Sequence, residues 1–150
     1  MKLGHYRVFN ALLFIAAASI LVIAGYLEPH ADGIGTHQQL GLAPCVFEGA
    51  WGLPCPACGW TTSFALMASG QVVSALINQP FGAALSVLTF GVAILSSAET
   101  IKPRARWIML HGCFKGRETK VLSTLFTFMF ASWAYKIALK MIFLSPPACR

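Results

Sequence analysis

Long uncharged apolar runs alternate along the chain with short segments that hold most of its charge. Val8 to Tyr26 has no charged residue over 19 positions. At about 1.5 Å per residue such a run makes about 28 Å of helix, close to the roughly 30 Å of hydrocarbon in a bilayer. Phe81 to Ala98 and Val121 to Leu144 are comparable runs, and the only charges in the latter are Lys136 and Lys140, on one helix face. A cleaved signal peptide is the rival reading of the first run, because Ala16-Ala17-Ala18-Ser19 imitates a cleavage site. Signal cores run about 7–15 residues, so the longer run predicts an anchor that stays in the membrane. Trp60 to Ile77 is helical in pattern but different in kind. Its apolar positions (Phe64, Met67, Ala68, Val72, Val73, Leu76, Ile77) are interrupted by Ser69-Gly70-Gln71, and Thr61, Thr62, Ser63 and Ser74 keep it partly polar. Asn78-Gln79-Pro80 ends it, and Pro80 suits the first turn of the next helix.

Composition agrees with this pattern. The 150 residues, enough for one domain, are 57% hydrophobic and 11% charged, against roughly 25% charged in soluble domains. A net charge of +6 would raise nucleic acid as a partner in a soluble chain. Here the basic residues are grouped between apolar runs, so the lipid bilayer is the expected partner and nucleic acid is not. Residues 1–7 carry Lys2 and Arg7, and residues 99–120 carry Lys102, Arg104, Arg106, Lys115, Arg117 and Lys120. Short Lys/Arg-rich segments stay in the cytoplasm. With both inside, an even number of crossings separates them, and the broken helix does not cross.

The expected architecture is therefore all-α and integral to the membrane: three transmembrane helices plus one broken interfacial or re-entrant helix, with four crossings as the alternative. Its segments are a transmembrane helix at 8–26, an outer Gly-rich cysteine loop at 27–59, the broken helix at 60–78, and a transmembrane helix at 80–98. A basic cytoplasmic loop at 99–120 and a transmembrane helix at 121–144 complete it. The N-terminus is expected inside a bacterial cytoplasmic membrane. Cys45, Cys55, Cys58 and Cys149 then face the oxidising side and Cys113 the reducing one. Lys136 is deep enough in the last helix to need a polar partner within the bundle, whereas Lys140 can snorkel to the interface. Trp107 to His111 is apolar enough to lie along the membrane surface, and Trp51, Trp60, Trp107 and Trp133 read as interfacial anchors.

The candidate chemistry is concentrated in Gly52-Leu53-Pro54-Cys55-Pro56-Ala57-Cys58-Gly59. Two prolines and two glycines exclude a helix interior and predict a rigid turn, with Thr61, Thr62 and Ser63 opening the helix that follows. Three readings stay open. As a thiol–disulfide oxidoreductase, Cys55 would attack and Cys58 resolve, with the helix N-terminus favouring a thiolate and Cys45 passing electrons onward. A membrane setting suits a quinone as partner, though no residue marks a quinone site. As a metal centre, Cys45, Cys55 and Cys58 with His37 or His30 would hold zinc in a Cys3His site. As a structural link, a disulfide among Cys45, Cys55 and Cys58 would pin the outer loop. A c-type haem is not expected, because Gly59 rather than His follows the second cysteine. His30 and His37 read otherwise as solvated loop residues, and Glu28, Asp32 and Glu48 are too scattered for carboxylate catalysis.

Cys45-Val46-Phe47, the Leu-Pro-Cys-Pro-Ala-Cys-Gly core, Thr61, Gly70-Gln71 and Asn78-x-Pro80 resemble a family of bacterial membrane proteins known as domain of unknown function 2752. The likeness covers about residues 40–95. Gly35 to Gly41 is similar to the segment leading into the core in some members, and the family commonly has Arg where this chain has Thr62. The resemblance implies a small multi-pass membrane protein and assigns no reaction. Two functions are therefore carried forward. One is a non-enzymatic membrane component or complex subunit, with a protein partner in the membrane and an outer loop stabilised by disulfide or metal. The other is a membrane thiol–disulfide oxidoreductase using Cys55 and Cys58.

Overall fold

The computed structural model describes residues 3–104 and 106–144. Cys149, expected beside the other outer cysteines, lies outside them, as does Lys2. The helices are α1 (Leu3–Tyr26), α2 (Val46–Trp51), α3 (Trp60–Ala68), α4 (Val72–Asn78), α5 (Pro80–Ile101), α6 (Arg106–Phe114) and α7 (Glu118–Leu144). No strand occurs among the described residues. Three helices, α1, α5 and α7, are long and apolar enough to cross a membrane. Each extends slightly beyond its uncharged run, because a helix continues until its backbone is capped rather than until its side chains turn polar.

Helices α1 and α5 pack antiparallel along their length. Tyr6 meets Glu99 at one end, Phe14 shares a groove with Ala93 and Ser97, and Leu21 shares another with Ser86 and Phe90. Ala17 and Ala24 of α1 and Ala93 of α5 are buried, Ala93 in the groove shared with α1, and small side chains let membrane helices approach closely.

Helices α3 and α4 form a hairpin that returns to the end it left. The Asn78 side-chain amide donates to the Gly59 carbonyl at 3.2 Å, joining the last residue of α4 to the residue before α3. The turn between them satisfies its own backbone. Ser69 N–H donates to Ala65 O at 2.9 Å, Gly70 N–H to Met67 O at 3.1 Å and Gln71 N–H to Leu66 O at 2.8 Å. Such closure is what lets a chain reverse below a membrane surface without stranding polar groups in lipid. Gly70, at φ +78, supplies the left-handed step. Leu66 and Ala75 of the hairpin pack on Ala83 of α5. Where α3 crosses α5, a Cβ on Gly82 would stand 3.1 Å from the Ser63 Cβ and 3.2 Å from the Trp60 Cα, so the glycine lets the two helices sit a few tenths of an ångström closer than a side chain would. The broken helix is thus a hairpin of two short helices rather than one helix of spanning length. The three-span arrangement holds, and the four-crossing alternative would need a span where there are two short helices folded back on each other.

The end of the bundle opposite the hairpin's mouth carries a polar network. Glu99 is fully buried. It accepts from Tyr6 OH at 2.9 Å, from Arg104 N–H at 3.0 Å, and from the Arg106 backbone and guanidinium at 3.2 and 3.0 Å. Trp107 Nε1 donates to Asn10 Oδ1 at 2.8 Å, and Arg7 donates to Ile101 O. These contacts fold α6 back onto α1 and bring Tyr6 and Arg7 to the end of α5 that carries Glu99 and Ile101; the segment 99–120 read as a loop is largely helical, holding the end of α5, α6 and the start of α7.

Candidate thiol site

The loop from Leu27 to Gly59 is built in short capped pieces. A 3-10 turn over Thr36–Leu40 is bounded by Gly35 and Gly41, both left-handed. The buried Thr36 hydroxyl lies 2.8 Å from that of Thr62 in α3 and also accepts the His30 N–H, tying the loop to the hairpin. Helix α2 begins after Cys45 and ends at left-handed Gly52. The Pro54–Gly59 turn then closes on itself through Cys58 N–H to Cys55 O at 3.0 Å. Three of its carbonyls are held by side chains from outside the turn: Trp133 Nε1 of α7 donates to Pro54 O at 2.7 Å, Gln79 Nε2, just before α5, to Pro56 O at 3.4 Å, and Asn78 of α4 to Gly59 O.

This frame brings the Sγ atoms of Cys45, Cys55 and Cys58 within 4.8 Å of one another. The Cys55 and Cys58 sulfurs are 3.1 Å apart, and all three thiols are free. Cys58 is buried, while Cys45 and Cys55 are partly exposed. Their acidities diverge. The Glu48 backbone amide, in the first turn of α2, holds the Cys45 thiol below its ordinary range, without forming a full helix cap. Burial, reinforced by hydrogen bonding with Cys55 and Cys45, pushes the Cys58 thiol far up. The helix end that favours a thiolate is therefore the start of α2 acting on Cys45, whereas the sequence pointed to the start of α3 acting on the Cys-x-x-Cys pair.

The donor set fits a thiophilic ion. Zn–S bonds of about 2.3 Å in a tetrahedron separate the sulfurs by about 3.8 Å, below the 4.8 Å limit of the trio, and the Cys55–Cys58 pair at 3.1 Å would open by about 0.7 Å to receive the ion. His37 does not stand with the trio, since its Nε2 is at 3.2 Å from the Ala43 carbonyl. His30 is engaged with Asp32 through its Nδ1. Among the described residues only the three cysteines group in this way, which leaves a fourth position for water or for a partner's ligand.

The deep lysine also has a definite place. Lys136 is 8% exposed and donates to Gly33 O at 2.8 Å and to Asn78 Oδ1 at 2.9 Å, pinning loop, hairpin and α7 together. Its ammonium packs against Gly59. Lys140 reaches Glu48 at 2.8 Å, so Glu48 is not simply a solvated loop residue. Asn78, Gln79 and Trp133 were not anticipated as holders of the turn. The available signal was two side-chain amides just before Pro80, which also read as an ordinary helix stop.

Residues 45–94 match the sequence model of a family described as "Protein of unknown function (DUF2752)", the family that the cysteine motif resembles. The match takes in all three thiols, the hairpin and α5 as far as Ile94. No curated protein and no solved structure matches the chain.

Proposed function

Starting from a thiol site that lies wholly within a DUF2752 segment, we propose that this protein is a non-enzymatic component of a bacterial cytoplasmic membrane. Cys45, Cys55 and Cys58 take up one divalent ion, zinc by preference, and so fasten the outer loop over the re-entrant hairpin. The observation that supports this is the convergence of three sulfurs from two separately positioned segments. A disulfide employs two sulfurs and leaves the third idle, whereas one ion employs all three. A bound ion supplies charge to replace the protons; the chain supplies the frame that holds the sulfurs before the ion arrives. Because thiols must lose protons to ligate, uptake strengthens as pH rises, and Cys58 is the ligand whose proton burial retains most firmly. The vacant fourth position suits a ligand from a membrane protein partner.

Sidedness follows from the two basic segments that meet at one end. That end is cytoplasmic by the positive-inside rule, and the thiols face outward at the other. The boundaries proposed from sequence for the individual segments stand on the same argument.

A second reading has its own support, the Glu48 backbone amide that holds the Cys45 thiol below its ordinary pKa range. In it the Cys45 thiolate attacks a partner's disulfide and expels one partner sulfur as thiol. The Cys55 thiolate then attacks the Cys45 sulfur of the mixed disulfide and expels the second partner sulfur as thiol, leaving the partner reduced and a Cys45–Cys55 disulfide.

Metal analysis of protein purified without chelator decides between them. The metal reading predicts about one zinc per chain, lost in each of Cys45→Ser, Cys55→Ser and Cys58→Ser. A metal-free preparation, or one that keeps its zinc in all three variants, rejects it. The oxidoreductase reading instead predicts that Cys55→Ala traps a mixed disulfide through Cys45. A membrane-impermeant thiol reagent applied to intact cells in the presence of a chelator should label Cys45 and spare Cys113.

A further inference from the structure

Beside the thiol turn is a cavity of about 720 Å³, walled by the loop at Ala31–Ile34, by Ile77 and Asn78 of the hairpin, and by Lys136 to Lys140 of α7. No cysteine lines it. Four ionisable side chains do: Asp32, Glu48, Lys136 and Lys140. Lys140 and Glu48 neutralise each other at 2.8 Å. The Asp32 carboxylate is 79% exposed and turns toward His30. That leaves Lys136, more than nine-tenths buried, whose two hydrogen bonds go to neutral oxygens of Gly33 and Asn78. No carboxylate pairs with it among the described residues. A buried cation retained without a counter-ion is costly, and an ammonium has three donors, so one direction remains for an anion. The rest of the lining that faces this position is apolar, with Ile34, Ile77 and Leu139.

We propose that the cavity binds one anionic amphiphile, with a phosphate or carboxylate head on Lys136 and an apolar chain against Ile34, Ile77 and Leu139. The head chemistry is shared by acidic phospholipids and by free fatty carboxylates, and both reach such a site from the surrounding bilayer. Binding would close the gap between loop and α7, adding an external clamp to the same loop that the thiols hold. The proposal does not depend on metal in the thiol site.

The test uses the full chain in a neutral detergent. Thermal stability is followed while phosphatidylglycerol, phosphatidylcholine, oleate or inorganic phosphate is added. Half-saturation for phosphatidylglycerol, oleate or both is expected at concentrations about tenfold or more below that for phosphatidylcholine, and inorganic phosphate is expected to do nothing. A response to phosphatidylglycerol alone assigns the head to phospholipid, and one to oleate alone assigns it to a fatty acid. Lys136→Met should abolish the response. Should that variant fail to fold, Leu139→Trp fills the cavity while leaving Lys136 in place, and must abolish it too. Equal responses to phosphatidylglycerol and phosphatidylcholine, an equal response to inorganic phosphate, or a full response in Leu139→Trp would each overturn the proposal.

Discussion

Gly59→Ala is expected to abolish most of the folded protein. Gly59 sits at φ +93, where a side chain costs about 1–2 kcal/mol from backbone sterics. The added Cβ would also fall within bonding distance of the Lys136 ammonium and 2.9 Å from the Gly33 carbonyl. The carbonyl is backbone and cannot swing aside. The lysine can move only by leaving Gly33 O and Asn78 Oδ1, and each hydrogen bond from a charged group contributes about 1.5–3 kcal/mol. Together these exceed about 4 kcal/mol, a large part of the roughly 5–15 kcal/mol that holds a typical domain folded. Gly52→Ala is the control. Gly52 has a similar φ of +66, but its Cβ would meet nothing within 4 Å, so only the backbone term of about 1–2 kcal/mol applies. The fraction of monodisperse protein after detergent extraction, with melting curves for what survives, separates the two.

Glu99→Ala is expected to be nearly as damaging, by a different route and at the other end. The carboxylate is fully buried and receives hydrogen bonds from Tyr6, from the Arg104 backbone and from two groups of Arg106. Removing one partner of a buried ion pair costs about 3–5 kcal/mol, because the remaining groups lose their acceptor without regaining water. Its visible consequence should be release of α6. The bond from Trp107 to Asn10 depends on that docking, so Trp107→Phe should respond less to Glu99→Ala in a tryptophan-fluorescence melt than the parent chain. Zinc content should persist in the surviving protein, since the thiols lie at the opposite end. The Gly59 and Glu99 effects should add, as they do for sites without shared partners.

The division between what was legible in the sequence and what was not follows the range of the interactions. The three spans and the Ser69-Gly70-Gln71 break are local patterns of apolar residues and breakers, and both are present. Charge grouping put residues 1–7 and 99–120 on one side, and the bonds of Tyr6 to Glu99 and of Arg7 to Ile101 join described parts of the two segments. The need of Lys136 for a polar partner was readable from its depth. Its partners, Gly33 and Asn78, were not, being 103 and 58 residues away. Helix α2 was hidden for a related reason. Val46 to Trp51 is only six residues long and contains Gly49, so the segment reads as loop until tertiary contacts hold it. Without α2 there was no means of seeing that Cys45 also lies at a helix N-terminus, as Cys58 does just ahead of α3. The position of His37 beside Ala43 likewise depends on the Gly35 and Gly41 turns, whose geometry composition alone does not specify.

The claim on which the functional account rests is that sulfurs from two segments act as a single ligand set. Zinc-edge X-ray absorption on the zinc-loaded chain measures this directly. The account predicts three sulfurs at about 2.3 Å, and no zinc edge in Cys45→Ser at the same chain concentration, because that variant loses the ion. A spectrum with only nitrogen and oxygen neighbours, or one that Cys45→Ser leaves unchanged, would contradict it.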